Sequence, residues 1–208
     1  GDPRLHEGMR RLQTELIRRD PALAPCAVPP ERSHLTCFVL NAEDIGQATE
    51  ALAACAPAAQ RFAAPPSVTI RGAGSFGQNV LYAAVPAGPE RQRLCAFVDE
   101  IRAVYEQRSL VPPGSGAWVP HVTIMKTSRA RKKRRRSEEA AGGGQRKLAI
   151  RPEVYEDLKV DLGVHACRAV ELCAMVGSDA DGFYPVLGSL PLGAQGAAPP
   201  LEHAPGGS

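Results

Sequence analysis

The chain is poor in aromatics, at 5%, and has a single tryptophan. No stretch of it approaches the ~18 apolar residues that a membrane helix needs, so no membrane association is expected. Residues 1–19 spread their charges throughout and lack the basic, apolar, small-residue order of a secretory signal. Cysteine is sparse and scattered: Cys26, Cys37, Cys55, Cys95, Cys167 and Cys173 include no C-x-x-C pair and no tight cluster with histidine. That spacing argues against a zinc site or a disulfide framework. It predicts reduced thiols in an intracellular protein, cytoplasmic or nuclear. Carboxylates are nowhere grouped in the way that holding Mg²⁺ demands, and neither metal nor cofactor is expected.

What is there describes one globular domain with ragged ends: 208 residues, 44% hydrophobic and 23% charged. The net charge of +3 is misleading, because seven cations fall in the eight positions from Arg129 to Arg136. Without those seven the balance is −4, so the basicity is one local patch rather than a nucleic-acid-binding face spread over the fold.

Leu5, Met9, Leu12 and Leu16 recur at helical spacing, and Asp20-Pro21 ends that helix. After a proline-rich connection, His34 to Leu40 reads as a strand. Asn41 is the expected cap of an alanine-rich helix through about Ala59, with Ile45, Ala48, Leu52 and Cys55 as its buried stripe. Ser67–Arg71 and Asn79–Val85 read as strands separated by a glycine-rich turn. Pro89 opens a helix to about Arg108, with Leu94, Phe97, Ile101 and Val104 facing inward. Trp118–Met125 is a further strand, and residues 127–146 are expected to be a basic, disordered insert. A short helix is expected after Pro152, with Val154, Tyr155, Leu158 and Leu162 as its apolar residues. His165–Val176 then reads as a strand, Ser178–Gly182 as a turn and Phe183–Leu190 as a last strand. The domain is thus expected over 1–190, with a disordered Gly/Ala/Pro-rich tail over 191–208. The pattern predicts α+β architecture with helices outside a central sheet pair.

Two of these strands open alike, Ser33-His34-Leu35-Thr36 and Pro120-His121-Val122-Thr123, with 87 residues between the histidines. In a strand, residues i and i+2 share a face, so each presents an imidazole beside a hydroxyl. Two such strands meeting at a cleft would bring together what a phosphodiester needs in order to open. Imidazoles titrate near neutrality and can act as base and acid. Threonine hydroxyls can donate to the phosphoryl oxygens as charge builds there. A single His-x-Thr carries no information, and two copies compete with a plain reading in which both histidines are half-buried strand residues.

The surrounding residues go further. Ser33-His-Leu-Thr-Cys-Phe-Val-Leu40, Gly72-Ala-Gly-Ser-Phe-Gly-Gln-Asn-Val80, Trp118-Val-Pro-His-Val-Thr-Ile-Met-Lys126 and Val170-Glu-Leu-Cys-Ala-Met175 resemble, in order and spacing, the two-histidine (2H) phosphoesterases. Within them the chain is similar to the central domain of the A-kinase anchoring protein branch, called 2′-5′ RNA ligase-like. The resemblance covers about Met9 to Leu190. It implies a two-lobed, pseudo-symmetric fold with antiparallel sheets flanking a central cleft. It also implies metal-independent cleavage of 2′,3′-cyclic phosphates or 2′-5′ linkages by His34 and His121 as base and acid, with Thr36 and Thr123 on the phosphoryl oxygens. The expected partner is a nucleotide or an RNA 3′-end, met by a monomer. Members of the family usually begin with a strand before the first helix, where this chain begins at the helix. The tail has no periodic apolar face, so kinase anchoring is not expected.

Other features carry two readings each. Gly72-x-Gly74-x-x-Gly77 matches a dinucleotide fingerprint, but a strand follows where that fingerprint needs a helix, so the glycines read as a hairpin connection. Phe76 and Trp118 are candidate substrate-binding rings that could stack on a base, or else structural aromatics. Lys126, three residues past Thr123, is expected to point away from that threonine's face. The basic run can be a solvated loop, a nuclear-localisation-type signal or an arm that contacts a polyanion. His6, His165 and His203 lack a companion threonine and read as solvated or structural. The alternatives to an enzyme are a non-catalytic nucleotide- or RNA-binding module and a scaffold for a partner protein.

Overall fold

A computed structural model of the protein describes residues 2–41, 43–112, 116–130, 148–175 and 184–193. Helix α1 (Pro3–Arg19) is started by Asp2, whose carboxylate accepts the Arg4 N–H, and by proline in its first turn. Its buried face is Leu5, Met9 and Leu16, joined by one polar residue, Gln13. Asp20 ends α1 and caps a 3₁₀ turn over Pro21–Cys26. A second such turn follows at Pro30–Arg32.

The expected strand from His34 to Leu40 does not form. Residues 33–40 carry one isolated bridge, Leu35 to Val122, with a second bridge upstream from Ala27 to Met125. Pro29 and Pro30 lie between the two bridges and have no N–H to give a ladder, so pairing stops and resumes. Leu35, Cys37, Phe38 and Leu40 still pack against the core.

The alanine-rich helix is shorter and broken. Asp44, not Asn41, caps α2 (Ile45–Ala54), accepting from the Gly46 and Gln47 N–H groups. Pro57 removes a helical donor, and α3 (Ala56–Gln60) restarts after Cys55. Ala48, Leu52 and Cys55 are buried as expected, whereas Ile45, on the first turn, is 56% exposed.

Strand β1 (Ser67–Arg71) pairs antiparallel with β5 (Asp161–Ala166). The glycine-rich stretch is itself a strand, β2 (Ala73–Phe76), which forms a hairpin with β3 (Val80–Ala84) through residues 77–79. Strand β4 (His121–Lys126) completes a three-stranded sheet in the order β2-β3-β4. The single strand expected over His165–Val176 is two. β5 ends at Ala166, and β6 (Ala169–Cys173) turns away to pair with β7 (Val186–Pro191). His165 therefore lies within β5, its ring nitrogens on Asp2 and on the Leu162 carbonyl, a structural position. Only a 3₁₀ turn, Pro152–Val154, follows Pro152, and Leu162 belongs to β5.

Helix α4 (Pro89–Glu106) buries Leu94, Phe97, Val98, Ile101 and Tyr105 against α2, α3 and β1, while α1 covers β4 and β5. Tyr105 ties α4 to α2 by donating its hydroxyl proton to the Ala48 carbonyl, and burial pushes that phenol up to about 12. Thr127 is not part of an exposed insert: it is buried, bonded to Asn79 through both backbone and side chain, and residues 127–130 are helical. The rest of the basic run, the turn at 178–182 and the tail beyond 193 lie outside the described residues.

Candidate active site

The bridge between Leu35 and Val122 sets the geometry of the two motifs. In this antiparallel register His34 lies opposite Thr123 and Thr36 opposite His121. Residues directly opposite one another point to the same face, as do i and i+2. Val122 is 2% exposed and Leu35 packs on the core, so the four motif side chains share the outward face. His34 and Thr36 are exposed there, and His121 and Thr123 half-buried.

The two imidazoles are anchored identically. His34 Nδ1 lies 2.8 Å from the Arg32 carbonyl, and His121 Nδ1 lies 2.7 Å from the Val119 carbonyl. A carbonyl can only accept, so each Nδ1 carries the proton, which leaves Nε2 as the nitrogen with a lone pair. The chain supplies this by itself, since the acceptor is in both cases the residue two positions upstream.

Around His121 the sheet adds a cluster of rings. Phe76, 42% exposed, stands edge-on to the imidazole at 4.9 Å between centroids. Tyr82 lies 5.0 Å from the imidazole and 4.7 Å from Phe76. Tyr82 pairs with Thr123 on one side and with Gly74 on the other, which puts all of them on one face. A Cβ on Gly74 would meet the Tyr82 ring at 2.5 Å, so the middle glycine of the motif is the seat of that ring. Tyr82 was not singled out from the sequence; its signal was its place three residues into a strand whose partner opens with a motif histidine.

Strand β4 also contains a β-bulge. Its register against β3 shifts between Thr123 and Met125, and Ile124 and Met125 are both buried. The extra residue re-aims the strand end, so Lys126, opposite Val80, lies on the face of Thr123 rather than the opposite one. Cys37, next to Thr36, is held as a neutral thiol, its burial pushing it up to about 12.

The family model for the AKAP7 2′5′ RNA ligase-like domain matches residues 2–192. The chain belongs to this family. Human A-kinase anchor protein 7 isoform gamma is 23% identical over 204 residues, which are 93% of this chain and 55% of that protein. The chain thus spans about half the length of that curated relative. A solved phosphoesterase superposes with a TM-score of 0.54 at 15% identity, covering 88% of this chain and 92% of that one. E. coli LigT complexed with 3′-AMP gives 0.52 at 16% identity, covering 88% of this chain and 91% of LigT. The fold of this 2′5′ RNA ligase-like domain is that of the 2H phosphoesterases, α+β with open antiparallel sheets.

Within the domain, two side chains lock the motif segments together. The Trp118 indole N–H donates to the Thr36 carbonyl at 2.7 Å, joining the approach to the second motif to the body of the first. Its ring is half-buried against the core, so the indole edge is committed to the scaffold. The buried Gln13 amide on α1 donates to the carbonyls of Val28 and of the bulge residue Ile124, at 2.6 and 3.0 Å. A surface depression of about 390 Å³ between α1 and β5 is lined by none of the motif residues.

Proposed function

We propose that the domain is a metal-independent phosphodiesterase that hydrolyses 2′,3′-cyclic phosphate or 2′-5′ linked nucleotides and RNA ends by two-histidine acid–base catalysis. The observation that carries this reading is the matched tether: two imidazoles in bridged motifs, each with Nδ1–H spent on the backbone carbonyl two residues upstream. In hydrolysis of a cyclic phosphate, one Nε2 takes a proton from water as its oxygen attacks phosphorus. The other, protonated, gives its proton to the departing ribose oxygen. The ring opens to a phosphomonoester and the two histidines exchange protonation states. Thr36 and Thr123 donate to the non-bridging oxygens, where charge develops. For a 2′-5′ linkage the same pair deprotonates the neighbouring 3′-hydroxyl and protonates the departing 5′-oxygen.

A nucleotide ligand is supported by the solved LigT complexes with 3′-AMP and NADP⁺. The exposed Phe76 ring beside His121 offers a surface on which a base could stack. A monomer in the cytoplasm or nucleus completes the reading.

The test is turnover of 2′,3′-cyclic nucleotides and of 2′-5′ oligoadenylate in the presence of chelator, for the wild type, His34→Ala and His121→Ala. Activity that survives chelation and drops ~10²–10⁴-fold in each variant is the expected result. Nucleotide binding without turnover would make the domain a binding module instead.

A further inference from the structure

Strand β4 spends two consecutive residues on the core. Ile124 and Met125 are both buried, and Lys126 then returns to the face of His121 and Thr123. Without the extra residue the alternation would send Lys126 inward and Met125 outward. The detour is held on both sides. The Ile124 carbonyl accepts from the buried Gln13 amide at 3.0 Å and from the Val28 N–H at 3.1 Å. Just past the lysine, Thr127 is 1% exposed and bonds Asn79 twice, N–H to carbonyl at 2.9 Å and hydroxyl to amide oxygen at 3.0 Å. Bulges beside functional sites re-aim side chains, and the side chain that this one turns onto the motif face is Lys126.

That face runs unbroken from the lysine to the second histidine. Tyr82 lies opposite Thr123, and the next outward pair along the sheet is Val80 opposite Lys126, with Phe76 on the other side of Val80. Phe76 rises from this row, and its ring ends 4.9 Å from the His121 ring. Lys126 rises from the same row with a longer side chain, on the strand of His121 itself. With the bulge counted out, it stands two strand residues, roughly 7 Å, beyond Thr123.

The four motif side chains offer hydroxyl dipoles and one imidazolium to a phosphate whose negative charge grows as an oxygen attacks it. An ammonium is a compact point charge with three donors and suits phosphate oxygens. We propose that Lys126 contacts the substrate, its ammonium pairing with the phosphate on which His34 and His121 act, beside the hydroxyl of Thr123. This rests on the phosphodiesterase reading for where the phosphate lies, and adds a fixed positive charge to that site.

The test uses Lys126→Met, which keeps the unbranched stem and removes the charge, with Lys126→Arg as the charge-preserving partner. In Lys126→Met, kcat/KM for adenosine 2′,3′-cyclic phosphate is expected to fall about ten- to hundredfold, the range of one hydrogen bond to a charged group, with Tm close to wild type. Lys126→Arg restores part of the loss. By calorimetry, Lys126→Met binds adenosine 3′-monophosphate about tenfold more weakly and adenosine as wild type does, which separates a lost charge from a disturbed site. A kcat/KM equal to wild type in Lys126→Met, or equal losses for adenosine and its monophosphate, overturns the proposal. If wild type turns over no cyclic phosphate, the phosphodiesterase reading fails by itself and calorimetry alone decides. Monophosphate affinity lost in Lys126→Met then supports the contact, and equal affinity in wild type and variant, or none in wild type, ends it. Should Lys126→Met fail to fold, Lys126→Gln carries the same measurements.

Discussion

The two His-x-Thr segments share a motif and a tether but not a backbone. The second lies in β4, hydrogen-bonded along its length to β3 and flanked by Phe76 and Tyr82. The first lies in an irregular stretch that touches β4 through one bridge and is fastened by the Trp118 bond to Thr36. Strand pairing is thus not what orients the imidazoles. A local contact, Nδ1–H to the carbonyl two residues back, does so in both places, and the surrounding fold has only to bring the two tethered units side by side.

That comparison can be broken in several ways. The largest effect is expected from removing either imidazole, and His34→Ala/His121→Ala should be little worse than the single variants, because a base without its acid already fails. A double variant slower by the product of the single losses, measured by single-turnover hydrolysis, would show independent sites. Next comes Gly74→Ala. The added methyl displaces the Tyr82 ring, a movable group, so kcat should fall roughly tenfold while Tm drops only a few degrees. An unchanged kcat would mean that the ring cluster does not steady His121.

Gln13→Leu withdraws the amide that bonds Val28 and Ile124, and urea melts should show a loss of about 1–3 kcal/mol. Trp118→Phe deletes one hydrogen bond to the first motif, worth about 1 kcal/mol, and should lower kcat several-fold. The smallest effect concerns the start of α1, the helix that braces both segments. The Arg4 N–H, and then His165, hold the Asp2 carboxylate below its usual 3.8. A depressed carboxylate stabilises the fold above about pH 4 and ceases to do so as pH falls through its lowered value. Thermal melts of Asp2→Asn should therefore lose that acid-side slope and otherwise follow wild type.

Much of this was legible in the sequence because it is local. The helical spacing of Leu5, Met9 and Leu16, the proline stop after Asp20 and the paired motifs all depend on near neighbours in the chain. What escaped depends on pairing across distance. The first motif was expected in a full strand because its residues favour one, but Pro29 and Pro30 had already interrupted the ladder. Period-two counting puts Lys126 on the wrong face because it holds only in an unbulged strand, and nothing local announces the extra residue at Ile124. Gly74 was read as a turn glycine, since its real requirement, the ring of Tyr82, is visible only once β2 and β3 are side by side.

The bond between Trp118 and Thr36 also has a practical side. It involves the only indole in the chain, placed where the two motif segments are stitched together. Intrinsic emission from this protein is therefore a built-in gauge of that seam. Without any label, a red shift on warming or a change on adding nucleotide reports whether the stitch has opened.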